Sequence, residues 1–522
     1  MEHHAHVVCN IAATIKSCFE KQEPFRIFHG SSNSTRPRHQ AGTKVVDISG
    51  LSNVVSVDAK ARVALVEPNV PMDRLVEVSL NHGLVPPVVM EFPGITTGGG
   101  FSGTSGESSS FRHGFFNDNI NSVEMILGNG EVVVASDTER EDLFHAAAGA
   151  AGTLGVITLL EVRLVKAKQF VQTTYQRVGS VSEALSLLEI EAKNEQNHYV
   201  DGILFNDIHG VIITGRLVDE KPADQHVQTF SRAADPWYYM YVQDITAQAK
   251  PSLPHSDYIP LAEYLFRYDR AAFWVGREGY TYFKYIPFNR FFRWLLDDFS
   301  HTRTLYHALH AGGISSRFLV QDVALPQETA EEFIKFASTD LGIWPLWLCP
   351  LRETRTPTFH PMTHEKRGLA VGEGTSQRMV SIGVWGWGPR LWRDFVRANR
   401  ALERKLYDLN GRKWLYAHCY YTEEEFWSIY DQQWYESLRE KYHANTLPTV
   451  FDKVTINLEA QLRERNTWGA SVTDLWPIGG VYGMWRAFTS GDWRLHRGAM
   501  WQWKGGATPA TTVGRDERDI CI

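Results

Sequence analysis

The chain has 522 residues, more than one ordinary domain of about 100–200 residues, and it suggests two or three domains. Hydrophobic residues make up 43% and charged residues 22%, which is usual for a globular protein and excludes wholesale disorder. With 53 Lys and Arg against 60 Asp and Glu the formal charge is −7, so there is no basic excess to hold a nucleic acid.

Short β-type runs and helical stretches alternate over the first 165 residues. Apolar side chains at helical spacing predict a helix over 7–19, and the run FRIF at 25–28 predicts a strand that enters a turn-rich segment. Further strands are predicted at 45–49, 54–58, 61–68, 122–127, 131–135 and 156–165, with helices at 71–83 and from about Asp142. This alternation predicts an α/β or α+β domain.

The rest of the chain has a different pattern. Residues 170–415 read as longer helices and isolated strands rich in Trp, Tyr and Phe, which indicates a second domain, and 423–453 form a charged, aromatic helical stretch. The tail from 461 holds six Trp with no clear period. It is either a loosely ordered appendage or a tail that binds a surface.

The sequence indicates a reducing compartment. Its five cysteines are scattered, and its first residues have neither a basic nor an apolar signal region. The longest uncharged stretch, 146–160, is shorter than the ~20 residues that a membrane span needs. We expect a cytoplasmic protein or one peripheral to an internal membrane, not secreted and without a transmembrane segment.

Two segments rich in glycine and hydroxyl groups carry the chemistry. The first is HGSSNSTR at 29–36, after a predicted strand, and the second is 92–110. Small residues let the backbone approach a ligand, and successive N–H groups can form an anion nest. Neither segment has the Walker or Rossmann pattern, so a diphosphate held by two separate loops points away from both common nucleotide folds.

The order of elements resembles the vanillyl-alcohol-oxidase type of FAD-binding domain. The segment TTGGGFSGTSGESSSFRHG at 96–114 is similar to the FAD loop of the Δ24-sterol reductase family, whose form is T-V-G-G-x-x-x-G-T-x-x-E-S-S-S-x-x-x-G. Further similar stretches cover about residues 5–455, at 128–136, 142–168, 257–274, 343–350 and 416–453. Two departures fall where the family reads S-S-S-H-K-Y-G and Y-A-D-C, at 110–114 and 416–419.

The resemblance implies an α+β fold with four parts. These are a two-subdomain PCMH-type FAD-binding domain at 1–168, a mixed α/β substrate cap at 169–415, a segment returning to the FAD site at 416–460, and the Trp-rich tail at 461–522. It implies an FAD-dependent oxidoreductase that uses NADPH to reduce a C=C bond in the side chain of a sterol or terpenoid. The partner would be this lipophilic small molecule, with peripheral membrane contact an open question.

The predicted FAD contacts lie in the two Gly-rich segments and after the helix near 142. They are Gly30, Ser31, Ser32, Asn33, Ser34, Thr96, Thr97, Gly98, Gly99, Gly100, Phe101, Ser102, Gly103, Thr104, Ser105, Gly106, Glu107, Ser108, His113, Gly152, Gly155 and Val156. In some relatives a histidine attaches FAD, but the usual attachment position falls near Ser31 or Ser32. We therefore predict non-covalent FAD.

An isolated alkene needs a proton donor opposite the hydride, and the candidates are Tyr416 and His418. On an extended strand these two side chains share one face, and histidine can donate near neutral pH. The alternative for His418 is a hydrogen-bonded structural histidine. Aromatic residues of the cap, among them Phe273 and Trp347, could line the substrate pocket or simply pack the core. The histidines show no metal-binding spacing, so we predict no metal.

Two alternative functions stay open at this point. One is an FAD-dependent oxidase or dehydrogenase that tailors a lipophilic secondary metabolite with the opposite electron flow. The other is a redox-silent flavin-binding module.

Overall fold

Two antiparallel sheets hold most of the strands of the computed structural model. The structure describes residues 1–30, 44–103, 106–249, 253–352, 358–361, 378–465 and 476–505. The smaller sheet has the order β3-β4-β8-β6-β7 and the larger one the order β13-β10-β12-β11-β15-β16-β14-β17. Two short pairs, β1-β2 and β5-β9, complete the strand pairing among the described residues.

The strands have the following bounds. They are β1 Phe25–Phe28, β2 Lys44–Asp47, β3 Val54–Asp58, β4 Val63–Val66, β5 Leu84–Val85, β6 Ile120–Ile126, β7 Val132–Ser136, β8 Val156–Arg163, β9 Val165–Lys166, β10 Phe170–Val178, β11 Tyr199–Asn206, β12 His209–Val218, β13 His255–Pro260, β14 Phe318–Pro326, β15 Leu346–Leu351, β16 Met379–Trp387 and β17 Arg412–Lys413.

Helices surround both sheets. They are α1 Glu2–Glu20, α2 Met72–Leu80, α3 Thr97–Gly103, α4 Ser110–His113, α5 Glu141–Ala147, α6 Val181–Lys193, α7 Tyr238–Thr246, α8 Leu261–Leu265, α9 Val275–Phe283, α10 Arg290–Leu295, α11 Thr302–Ala311, α12 Gln327–Thr339, α13 Trp392–Asp408, α14 Glu423–Ile429, α15 Gln432–Lys441, α16 Val450–Val454, α17 Leu458–Arg465 and α18 Ile478–Ser490.

The predicted elements of the first 165 residues are confirmed within a few residues. Helix α1 buries Val8, Ile11, Ile15 and Cys18, an apolar stripe at helical spacing. Strands β6 and β7 pair as a hairpin whose turn places Gly130 at φ 87°, where a glycine avoids strain. The predicted α+β class is confirmed, because both sheets are antiparallel and helices cover them.

The second Gly-rich segment, expected to be a loop, contains helix α3 at residues 97–103. The described part of the Trp-rich tail, 476–505, contains helix α18 and a 3-10 helix, Asp492–Gly498. Among the described helices, none combines the length and the apolar character that a membrane span requires. The predicted domain limits stay a prediction.

Candidate active site

A cleft of about 950 Å³, open solvent at its mouth included, brings together segments far apart in the chain. Its walls come from 27–29, 48, 68–69, 96–103, 149–157, 359–360, 414–416 and Lys453. The Gly-rich helix α3, the segment after α5 and the residues after β17 thus face one space. This is the arrangement expected for a large ligand held by separate loops.

Helix α3 owes its position to its glycines. A Cβ on Gly98 would lie 2.7 Å from the Cβ of Pro68, and one on Gly100 would lie 2.6 Å from Cε of Met90. The side-chain oxygen of Thr96 accepts a hydrogen bond of 3.2 Å from the Gly99 N–H, as an N-cap does. The cap and the close packing together fix the start of this helix at the cleft.

The predicted FAD contacts fall at several places in the structure. Those that line the cleft are Thr96, Gly98, Gly99, Ser102, Gly103, Gly152 and Gly155. Thr97, Gly100, Phe101 and Val156 are buried behind them, and the Thr97 hydroxyl donates to the Glu67 carbonyl over 2.9 Å. Ser31–Ser34 and Thr104–Ser105 lie outside the described residues, and Gly30 follows the cleft residue His29 with φ 80°.

The last predicted contacts lie toward the larger sheet. The Cys349 thiol donates to the Glu107 carbonyl over 2.8 Å, and the Val200 N–H donates to the Ser108 carbonyl over 2.7 Å. A Cβ on Gly106 would lie 2.3 Å from Leu351 Cδ2. His113 is not among the cleft residues, and its burial lowers its pKa to about 4.

The two catalytic candidates are separated by the structure. Residues 415–417 form a turn and a bend, so the expected extended strand with Tyr416 and His418 on one face is wrong. Tyr416 lines the cleft. His418 is buried outside it, with its ring 6.5 Å from that of Phe395, which agrees with the alternative of a structural histidine.

Tyr416 has a partner that the sequence did not reveal. Its hydroxyl donates a hydrogen bond to Asp322 Oδ2, and Asp322 lies on the fully buried strand β14. Burial raises the pKa of Asp322 to about 7, and burial also raises the pKa of Tyr416. An acid inside the apolar run FLVQDVALP was the available signal, because buried carboxyls are rare without a role.

Two further buried acids lie near this pair. Burial raises the pKa of Glu91 to about 8 and raises that of Glu107, and Asp322 adds to both shifts through its charge. Both shifts favour the protonated form of these carboxyls.

Three more residues contribute polar groups to the cleft, and sequence reasoning missed Trp414 and Lys453 among them. Trp414 Nε1 and His360 Nε2 are buried without a hydrogen-bond partner among the described residues. The Lys453 ammonium lies 3.5 Å from where a Cβ of Gly152 would be. His360 is 2% exposed, so it is an interior residue of the cleft wall.

These residues fit a flavin dinucleotide. Glycines leave room for a diphosphate, Lys453 supplies a positive charge, and the two orphaned ring nitrogens can pair with polar atoms of a flat ring system. By contrast, the aromatic residues proposed for the substrate pocket are absent from the cleft wall. Phe273 and Trp347 pack in the main core with their rings 5.4 Å apart.

One cluster has atoms spaced as metal ligands would be, namely Asp297, His301 and His496. The two imidazole rings stack with centroids 3.8 Å apart and an interplanar angle of 16°. Since a metal lies in the plane of each histidine that binds it, one ion cannot serve both stacked rings. The stacked rings therefore argue against a metal ion at this cluster. The absence of a metal site stays a prediction.

Comparison with known proteins agrees with this geometry. Residues 5–136 match the family described as "FAD binding domain". The chain is 29% identical over 416 residues to the Delta(24)-sterol reductase of Homo sapiens, which covers 77% of this chain and 76% of that protein. It is 26% identical to the Arabidopsis thaliana Delta(24)-sterol reductase, over 78% of this chain and 76% of that protein.

A second kind of relative shares a shorter part. Cytokinin dehydrogenase 4 of Oryza sativa subsp. japonica is 28% identical over 233 residues, 42% of this chain and 44% of that protein. The matches confirm the resemblance that residues 96–114 carry. The chain is therefore an FAD-dependent oxidoreductase whose relatives over three quarters of its length are Δ24-sterol reductases.

Proposed function

We propose that the protein reduces a C=C bond in the side chain of a sterol or similar lipophilic terpenoid, with FAD as cofactor and NADPH as electron donor. The relatives named Delta(24)-sterol reductase support the substrate class. The observation that carries the proposal is the Tyr416–Asp322 pair at the wall of the glycine-lined cleft. It supplies the proton donor that this reaction requires.

An isolated alkene has no carbonyl to accept a hydride. A proton must therefore reach one carbon as, or before, hydride reaches the other, and the two new C–H bonds replace the π bond. Bound FAD, once reduced, supplies hydride, and NADPH would restore the reduced form. The protein must exclude water and hold the acid against the alkene.

Tyr416 and Asp322 can share the work of that acid. A tyrosine that gives its proton to carbon becomes a phenolate, which its buried surroundings disfavour. Below pH about 7 Asp322 is protonated, and its carboxyl O–H can then donate to the Tyr416 oxygen in place of the reverse hydrogen bond. This leaves the phenol proton for the substrate, and the Asp322 proton then replaces it on the Tyr416 oxygen. We propose Tyr416 as the group facing substrate and Asp322 as its proton source.

The cleft residues support FAD binding by helix α3, by the segment around Gly152 and by Lys453. We propose that FAD is held without a covalent bond. Acid precipitation tests this directly: the yellow colour should stay in the supernatant, and colour in the pellet would overturn the proposal.

A second candidate is an oxidase or dehydrogenase with the opposite electron flow, supported by the cytokinin dehydrogenase match. Anaerobic titration of the purified holoprotein separates the two. Bleaching of the flavin by NADPH and recolouring by a Δ24-unsaturated sterol supports reduction. Bleaching by substrate, followed by peroxide when air is admitted, supports the second candidate instead.

A further inference from the structure

Helix α18 turns its small residues inward and its large apolar residues outward. The buried face consists of Gly479, Gly480, Gly483 and Ala487. The opposite residues are between 41% and 56% exposed, and they are Ile478, Val481, Tyr482, Trp485 and Phe488. This is the reverse of the usual surface helix, whose large apolar side chains face the core.

Close contacts fix this orientation. A Cβ on Gly483 would lie 2.3 Å from the carbonyl oxygen of Ala308 in α11, and one on Gly480 would lie 2.3 Å from Cε1 of Tyr282. Turning the helix by half a turn would push Val481 or Trp485 into the backbone of α11. The outward direction of the large side chains therefore follows from the packing.

A second apolar segment lies beside the first. The Trp476 indole N–H donates to the Tyr282 carbonyl over 2.8 Å, and the ring of Tyr285 lies 5.9 Å from that of Trp476. Tyr285 is 83% exposed, and Phe291, Trp294 and Leu295 of α10 are exposed as well. We call the exposed apolar side chains of 285–295 and 476–488 the aromatic surface.

The charges of these segments are opposite to those of the whole chain. Residues 284–298 contain Lys284, Arg290 and Arg293 against Asp297 and Asp298, and residues 476–500 contain three arginines against one aspartate. One of these arginines, Arg497, pairs with Asp298. The chain as a whole carries −7. The aromatic surface thus combines Trp and Tyr with cations, the composition that suits the headgroup region of an anionic bilayer.

We propose that the aromatic surface docks the protein on the surface of a membrane that contains anionic lipids, without crossing it. A second copy of the chain is the other partner to weigh. A symmetric dimer would place each set of cations against its own copy, and this repulsion disfavours the dimer. Anionic headgroups neutralise the same cations, while Trp485 and Phe488 reach the acyl boundary.

The test is flotation of the FAD-loaded protein with vesicles of phosphatidylcholine alone and of phosphatidylcholine with phosphatidylserine. We expect the protein to float with the second kind and to lose binding at high salt. Trp485→Ser with Phe488→Ser should weaken partitioning by at least about tenfold. Arg486→Glu with Arg494→Glu should weaken it only for the phosphatidylserine vesicles.

Ile190→Ser with Ile208→Ser is the matched control, because both side chains are exposed apolar residues far from this surface in the sequence. It should float as the wild type does, and flavin absorbance should show that every variant is folded. The proposal is overturned if the wild type floats with neither vesicle, if the control loses binding as strongly, or if light scattering shows a dimer that Trp485→Ser with Phe488→Ser dissociates.

Discussion

Asp322 is buried on strand β14, whose nine residues are all buried, and its pKa is about 7. The rate of the alkene step should therefore depend on pH. Because only the protonated carboxyl can resupply Tyr416, reoxidation of the reduced flavin by the alkene should slow as pH rises through 7. Asp322→Asn should lower this rate about 10²–10⁴-fold and abolish its pH dependence, while reduction by NADPH is unchanged. Anaerobic stopped-flow absorbance at several pH values measures both steps.

Tyr306→Phe is the control, since Tyr306 lies near Asp322 but not at the cleft.

The free energy of unfolding should also fall as pH rises. Between about pH 4 and 7 the folded protein binds the Asp322 proton more tightly than the unfolded one, so rising pH lowers the free energy of unfolding there. Asp322→Asn should remove that slope. An unchanged alkene step in the variant would refute the role of Asp322.

Gly98 has no room for a side chain at the start of helix α3. Gly98→Val would force its side chain into Pro68, whose Cβ and carbonyl oxygen already lie 2.7 and 3.0 Å from an added Cβ. Displacing the start of α3 should weaken FAD binding by roughly one to two orders of magnitude. The ratio of flavin to protein absorbance measures it. Gly50→Ala, where an added Cβ meets nothing within 4 Å, should stay fully yellow.

Some residues of the cleft could be predicted from the sequence and others could not. Gly98 could be predicted because glycines and hydroxyls follow each other in its segment, and Gly152 could be predicted from the family resemblance over 142–168. Asp322, Trp414 and Lys453 could not, since their meeting depends on how distant strands and helices pack. Local pattern identifies a ligand-binding segment, but the opposite wall of the cleft exists only in three dimensions.

The N-terminal cap of helix α3 also contributes to the site. Thr96→Val removes the side-chain oxygen that accepts from the Gly99 N–H, and the lost cap should cost about 1 kcal/mol. We expect a lower temperature of unfolding and weaker FAD binding, since Thr96 also lines the cleft. Thr96→Ser keeps the hydroxyl and should restore both. Equal behaviour of the two variants in differential scanning fluorimetry would contradict the cap.

Helices were predicted best where the sequence contains a strong local signal, such as a helix cap. The charged stretch from 423 predicts a helix, and α14 begins at Glu423 with a Thr422–Glu425 capping box. Helix α3 was not predicted, because three consecutive glycines disfavour a helix unless tertiary packing compensates. The same limit hid α18, whose apolar pattern is masked by its buried glycines.

One buried arginine, Arg267, joins distant parts of the chain. Arg267 Nη2 lies 3.0 Å from Asp201 Oδ2 and 3.3 Å from Glu91 Oε1. Asp201 lies on the larger sheet, whereas Glu91 precedes the Gly-rich helix that lines the cleft. Tyr268 and Trp347 also donate to Asp201, so the charge is fully enclosed. No local pattern could have paired these residues.

Arg267→Met should therefore destabilise the whole molecule. Because burial raises the pKa of Glu91 to about 8, the charge left uncompensated is that of Asp201. Removing one partner of a buried pair costs about 3–5 kcal/mol. Urea denaturation of the holoprotein, followed by tryptophan fluorescence and by flavin release, should show both transitions at lower urea, since the arginine holds the cleft side and the larger sheet together.

Lys193→Met is the matched control, because Lys193 pairs with Glu189 on an exposed helix face. Such surface pairs contribute about 0–1 kcal/mol, so this variant should unfold near the wild-type midpoint. Adding Asp201→Asn to Arg267→Met should recover part of the loss, since it removes the uncompensated charge. If Arg267→Met shifted the urea midpoint no more than Lys193→Met, the buried arginine would not be what joins the two parts.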